Sequence, residues 1–165
     1  MVEIKWTRLR EVLEEYGERF IQLAKDKMGV NKSYASGELA DSMETVVEIE
    51  EDNYFKVSIK LLDYWVYLEN GTKPHFPPLQ AIKDWVEVKG ITPYEVNGYT
   101  PSIEDLPYMI QQSIGKYGTE AHPFFEENKD VVYKEFENSI MYAIQEDIAE
   151  WVSDNVMEML NNTFK

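Results

Sequence analysis

The stretch from residue 126 to residue 165 constrains the fold most, because it predicts one uninterrupted helix. Apolar residues return every three or four positions from Val132 to Met159, with no glycine or proline between them. A helix of thirty-odd residues is about 50 Å long. A small sheet is narrower than that, so we expect part of this helix to extend beyond it and to contact another chain.

The segment 1–30 predicts a second amphipathic helix, with charged residues on the face opposite its apolar stripe. Gly29 is expected to end this helix, since glycine is the usual C-terminal cap. The stripe should pack within its own domain, and the alternative is a neighbouring subunit. It consists of Trp6, Leu9, Leu13, Tyr16, Phe20 and Leu23.

Residues 45–61 predict a β-hairpin. In its second half apolar side chains alternate with lysine and serine from Phe55 to Leu61, the period of a half-buried strand. Val47 and Ile49 should share the inward face of the partner strand, and the turn falls at residues 50–53.

Between the hairpin and the last helix the pattern predicts short helices. One follows Pro78 and ends at Gly90, and another is capped by Ser102 and ends at Gly115 or Gly118. A further helical turn carries Leu39. The predicted fold class is therefore α+β, with a small antiparallel β-sheet packed with the amphipathic N-terminal helix, short central helices and a long C-terminal helix.

Length and composition predict one domain over residues 1–165, in three segments: the helix 1–30, a core 31–125 and the helix 126–165. The chain has no cysteine, which excludes disulfides and thiolate chemistry, and its start does not resemble a signal peptide. No apolar run approaches the ~20 residues that cross a bilayer. We therefore expect a soluble protein made in a cytoplasm.

Charge narrows the choice of partners. Sixteen basic residues against thirty-one acidic ones give a net charge of −15. Such a surface repels nucleic acid and anionic membranes, so sequence-specific DNA binding and membrane binding are not expected.

The two histidines of the chain lie in two similar motifs. Gly-Thr-x-x-His occurs at Gly71 to His75 and again at Gly118 to His122, each with proline and phenylalanine nearby. A metal site would recruit Glu69, Glu120 or Glu126, but no metal-binding spacing supports it.

A nucleophilic site is equally unsupported, because each threonine lies only three residues before its histidine. No catalytic residue, metal site or cofactor is therefore predicted, and we expect a protein that is not an enzyme. We interpret both motifs as corners: glycine supplies a positive φ, and proline fixes the direction of the exit. Each corner should anchor an aromatic side chain beneath it, from among Phe76, Phe124 and Phe125.

One of the two corners also carries a family resemblance. The segment "YWVYLENGTKPHFPP" resembles the signature of the neck, or tail-completion, proteins of tailed bacteriophages, the head-tail joining family. The upstream "SGELADSM" is similar to the Gly-x-Leu-x-x-Ser stretch of that family, and the downstream helix ending before a Pro-Phe corner is similar as well. The residues that carry the signature and form the expected assembly loop are Tyr67, Glu69, Gly71, Thr72, Pro74, Gly118, Pro123 and Phe124.

This resemblance implies a structural virion protein, made in the bacterial host cytoplasm. Copies would form a homo-oligomeric ring at the head-tail junction, between the connector and tail proteins, with DNA passing through the lumen. The alternative is an acidic DNA mimic that inhibits a nucleic-acid-binding protein of the host, since net −15 suits a basic cleft.

Overall fold

The chain is a mixed α+β structure, as predicted. The computed structural model describes residues 3–30, 37–50, 54–95 and 98–163, and in these ranges it has six helices and one two-stranded antiparallel sheet. In chain order the elements are α1 (Thr7–Val30), α2 (Glu38–Asp41), β1 (Glu44–Ile49), β2 (Phe55–Lys60), α3 (Trp65–Asn70), α4 (Leu79–Lys89), α5 (Leu106–Tyr117) and α6 (Glu126–Thr163).

These elements divide into two compact units. The first unit comprises Met1–Ala24, Glu44–Lys60 and Glu126–Lys165, and the second comprises Lys25–Met43 and Leu61–Phe125. The hairpin therefore groups with the two terminal helices, not with the middle of the chain. That residues 1–165 behave as a single domain stays a prediction.

The core of the first unit is formed by the predicted apolar stripe of α1. Leu9 and Leu13 are buried together with Ala143 of α6, and residues of the hairpin pack against them. Val47 lies directly opposite Val57 in the antiparallel register, and both contribute to this core. The expectation that the stripe packs within its own fold is therefore confirmed.

A buried carboxylate fixes the beginning of α1 in the same unit. Asp147 of α6 accepts hydrogen bonds from the backbone N–H of Arg8 (3.2 Å) and of Leu9 (3.0 Å). Both N–H groups lie in the first turn of α1, where backbone N–H groups have no acceptor inside the helix. The Arg8 guanidinium also bonds Asp147 and Glu150, and these bonds raise the pKa of Arg8.

The helix α6 has 38 residues, in agreement with the sequence pattern. Every residue from Val156 to Thr163 is exposed, as expected of a helix that extends beyond the elements it packs on. Its expected contact with another chain stays a prediction.

Two local predictions were wrong. Gly29 lies inside α1 and does not end it, and it is not among the glycines with a positive φ. Ser102 does not cap α5, because that helix begins only at Leu106. Its hydroxyl instead accepts the N–H of Asp105 (3.1 Å), so that it stabilises the preceding turn.

Three further local features bear on the sequence predictions: the end of α5, the helix α3 and the hairpin turn. α5 ends at Gly118 and not at Gly115. The short helix α3 was not predicted, because its six residues are too few to establish a period. The predicted hairpin turn at residues 50–53 lies outside the described residues except for Glu50, whose N–H bonds the carbonyl of Tyr54 (3.0 Å).

Candidate functional site

The two Gly-Thr motifs that resemble each other in sequence pair with each other in the second unit. The N–H of Thr72 donates to the carbonyl of Thr119 at 3.1 Å, and the N–H of Thr119 donates to the carbonyl of Thr72 at 3.2 Å. Their hydroxyls lie 3.0 Å apart, within hydrogen-bond distance. The motifs, 47 residues apart in the chain, thus form an isolated antiparallel bridge.

The two glycines make this bridge possible. Gly71 has φ 66° and ψ −171°, and Gly118 has nearly the same values, φ 78° and ψ −161°. This region of backbone space is accessible essentially only to glycine. A Cβ on Gly71 would lie 2.4 Å from the carbonyl oxygen of Thr119, and one on Gly118 would lie 1.9 Å from that of Thr72. Both conformation and space therefore require glycine.

The backbone N–H groups of the two histidines form further hydrogen bonds between the two motifs and the helices that precede them. The N–H of His122 donates to the carbonyl of Leu68 in α3 (2.9 Å), and the N–H of His75 donates to that of Ile114 in α5 (3.4 Å). Each histidine thus reaches the helix that ends at the other motif. The ring of His75 is exposed, and its Nδ1 lies 2.9 Å from the carbonyl oxygen of Lys73 in the same loop.

Glu69 connects the first corner to the phenylalanines of the second. Its side chain is buried, and Oε2 accepts the N–H of Phe124 and the N–H of Phe125, both at 2.9 Å. Phe124 is completely buried, and the ring of Phe125 lies against Trp65 with centroids 5.4 Å apart. A carboxylate that accepts two N–H groups makes strong, charge-assisted hydrogen bonds.

The remaining signature residues lie at the edge of this arrangement. Tyr67 and Pro74 are exposed, whereas Pro123 is half-buried. The prediction that each corner anchors an aromatic beneath it is confirmed for Phe124 and wrong for Phe76, which is 64% exposed. Phe76 instead lies over α5, where a Cβ on Gly115 would meet its ring.

A cleft of about 820 Å³ adjoins the paired loops, within the second unit. It brings together both histidines, Thr72 and Thr119. Its wall also contains residues that were not predicted as site residues. These additional residues include Tyr64, Trp85, Lys73 and Lys89.

Two of these additional residues are held in an environment that perturbs their chemistry. Lys89 Nζ lies 5.4 Å from the centroid of the Trp85 ring, a cation–π distance, and burial lowers the pKa of this lysine. Burial, together with the charge of Glu38, raises the pKa of the Tyr64 hydroxyl. The i, i+4 spacing of Trp85 and Lys89 within α4 is the signal in the sequence that could have identified this pair.

The acidic residues proposed as metal ligands do not converge. Glu120 lines the cleft with the histidines, but Glu69 binds backbone N–H groups, and Glu126 pairs with Lys129 at 2.8 Å. In the described part of the chain, no group of three or more histidine, aspartate or glutamate side chains is arranged to hold a metal ion.

No helix among the described residues has the length and apolar character needed to span a membrane. The chain matches no protein-family model, no curated protein and no solved structure.

Proposed function

We propose that this chain is a structural subunit of a tailed-phage virion, forming a ring at the neck that joins the tail to the head. The observation that carries the proposal is the convergence of the residues on which the resemblance rests. Glu69 bonds the backbone of Phe124, and Gly71 and Thr72 meet Gly118 and Thr119. These contacts support the proposal, because the residues that carry the resemblance act together in one structural feature.

The contacts also favour a structural role for the motif. Both threonines pair through their backbone, both glycines provide the conformation and space for that pairing, and the Glu69 carboxylate accepts backbone N–H groups. Together these contacts fix the directions of α3 and α5. The histidines contribute through their N–H groups, and this contribution does not depend on the imidazole. The loop would thus set the shape of a surface that neighbouring subunits, connector and tail proteins contact.

The strong acidity would serve the passage of DNA through such a ring, because like charge suppresses adhesion. This part of the proposal requires carboxylates on the lumen side. A virion reconstruction that places the acidic residues on the outer surface would contradict it.

The most direct test removes the gene from its phage and examines the lysate by electron microscopy. We expect filled heads and separate tails, and no infectious particles. Wild-type protein supplied from a plasmid should restore joined particles, and so should Gly29→Ala, because this position has open space around it. Gly71→Val should fail to restore them. Normal infectious particles without the gene would contradict the proposal.

The alternative, a DNA mimic, needs rows of free carboxylates like those of a duplex. Against this alternative, three carboxylates of α6 surround Arg8 and are therefore not free: those of Glu146, Asp147 and Glu150. Normal particles from the deletion, together with competition between the purified protein and DNA for a host DNA-binding protein, would favour the mimic instead.

A further inference from the structure

The helix α6 has a second apolar stripe, separate from the one that forms the core of the first unit. At about 100° per residue, the side chains of this second stripe fall within about 80° of one another around the helix. They are between 39% and 64% exposed. We call this set the outer stripe, and it consists of Met141, Ile148, Val152, Val156 and Met159.

Three of the four buried residues of α6 lie on the opposite side. Val132, Ala143 and Asp147 are buried, and each is roughly 140° or more from Val152 around the helix. A helix that is apolar on two opposite faces normally has neighbours on both. The first unit covers one face, and the outer stripe runs for about 27 Å along the other.

The positions of the charges on α6 bear on which neighbour the outer stripe would contact. Between Met141 and Met159 the five carboxylates of α6 all lie at least about 120° from Val152, on the buried side or beside it. Three of them surround Arg8. The positions next to the outer stripe are neutral, among them Gln145 and Ala149.

A chain with a net charge of −15 repels its own copies, so a close contact between two copies is least costly through a face without charge. The outer stripe is such a face. A basic partner would gain nothing there, because the carboxylates that it would pair with lie elsewhere on α6. Self-association also suits the stripe, since a two-fold contact places the same apolar residues of both copies together.

We propose that α6 pairs with α6 of a second copy along the outer stripe, as a helix pair of coiled-coil type. This inference rests on the surface of the chain alone and not on the proposed role in the phage. Five half-exposed side chains form a small interface, at or below the lower end for specific complexes, so the free protein should associate at micromolar concentration.

The absence of native cysteine allows a direct test with the full-length protein. A single Val152→Cys substitution should give disulfide-linked dimers on mild oxidation if the two helices run parallel. A mixture of Ile148→Cys and Val152→Cys chains should give the mixed dimer if they run antiparallel. The matched control is Asp154→Cys, which lies on the other side of the same exposed helix segment and should cross-link poorly.

Sedimentation of the unmodified chain provides the second measurement. We expect a concentration-dependent dimer at about 10–100 µM. Val152→Glu combined with Val156→Glu should weaken it at least tenfold, on the order expected when like charges are brought together. Glu158→Gln, on the other side of α6, should leave it unchanged. Circular dichroism should show that the variants remain folded, because both valines are more than 40% exposed.

The proposal is overturned if the unmodified chain sediments as a monomer and neither cysteine arrangement cross-links above the Asp154→Cys control. In that case the outer stripe would contact a different protein and not a second copy of this chain. Both results are independent of the gene deletion, so failure of one proposal can be distinguished from failure of the other.

Discussion

The two compact units are stabilised by different kinds of contact. In the first, the buried side chains recur at helical or strand spacing along α1, the hairpin and α6. In the second, the most constrained contacts join two loops that are 47 residues apart, through backbone hydrogen bonds and two glycines. A single substitution should therefore affect the second unit most where it alters the backbone, and the first unit most where it removes a buried side chain, whether apolar or, like Asp147, polar.

The largest effect is expected for Gly118→Ala in the second unit. The new Cβ would lie 1.9 Å from the carbonyl oxygen of Thr72, in a backbone conformation that costs about 1–3 kcal/mol for other residues. With the loss of the bridge, the free energy of unfolding should fall by about 3 kcal/mol or more, measured by chemical denaturation. The control Gly29→Ala should instead stabilise by about 0.5–1 kcal/mol, because that position is helical and open. Equal stabilities of the two variants would contradict the conclusion that the backbone at Gly118 requires glycine.

The next largest effect is expected for Asp147→Ala in the first unit. This change leaves the N–H groups of Arg8 and Leu9 without their acceptor, at a cost of about 2–3 kcal/mol. Hydrogen exchange should increase at the beginning of α1 before it increases elsewhere. Glu150→Gln removes only an exposed partner of Arg8 and should leave the stability close to that of the wild type. If both variants have the same stability, the buried carboxylate does not hold α1.

A smaller loss, about 1–2 kcal/mol, is expected for Glu69→Gln in the second unit. The amide oxygen can still accept the N–H of Phe124 or Phe125, but the bond is no longer charge-assisted. Thermal unfolding followed by the fluorescence of the tryptophans measures this loss. Glu120→Gln, an exposed change in the same loops, is the matched control, and an equal loss there would contradict the role of Glu69.

The smallest effect is expected for His75→Asn combined with His122→Asn. Because both histidines act through backbone N–H groups, the stability should change by less than about 0.5 kcal/mol. Metal analysis of the purified wild type and of the double variant gives an independent reading. Metal that is bound by the wild type and lost from the variant would support a metal site at the two histidines.

More of the first unit than of the second could be predicted from the sequence. The stripe of α1, the hairpin register and the length of α6 follow from the spacing of apolar residues, so they could be predicted. The hydrogen bonds that Asp147 accepts from the beginning of α1 could not be predicted, because one aspartate among many acidic residues carries no pattern that marks it as buried. In the second unit the repeated Gly-Thr motif was visible, but its pairing was not, since local sequence does not specify which loops meet.

The candidate site shows the same limit. Glu69, Gly71, Thr72, Gly118 and Phe124 were identified from motifs, and all of them lie in or against the paired loops. Trp85 and Lys89 complete the cleft from α4. Their role depends on how α4 is placed relative to the loops, which helical spacing does not determine.

The central claim is that the two Gly-Thr motifs form one structural device, and a double-mutant cycle on Thr72→Val and Thr119→Val tests it most directly. Their hydroxyls lie 3.0 Å apart, so the two losses should be non-additive by about 0.5–1 kcal/mol. The control pair is Thr72→Val with Ser102→Ala, whose hydroxyl bonds Asp105 and neither loop; its losses should add. Additive losses for the two threonines would contradict the claim.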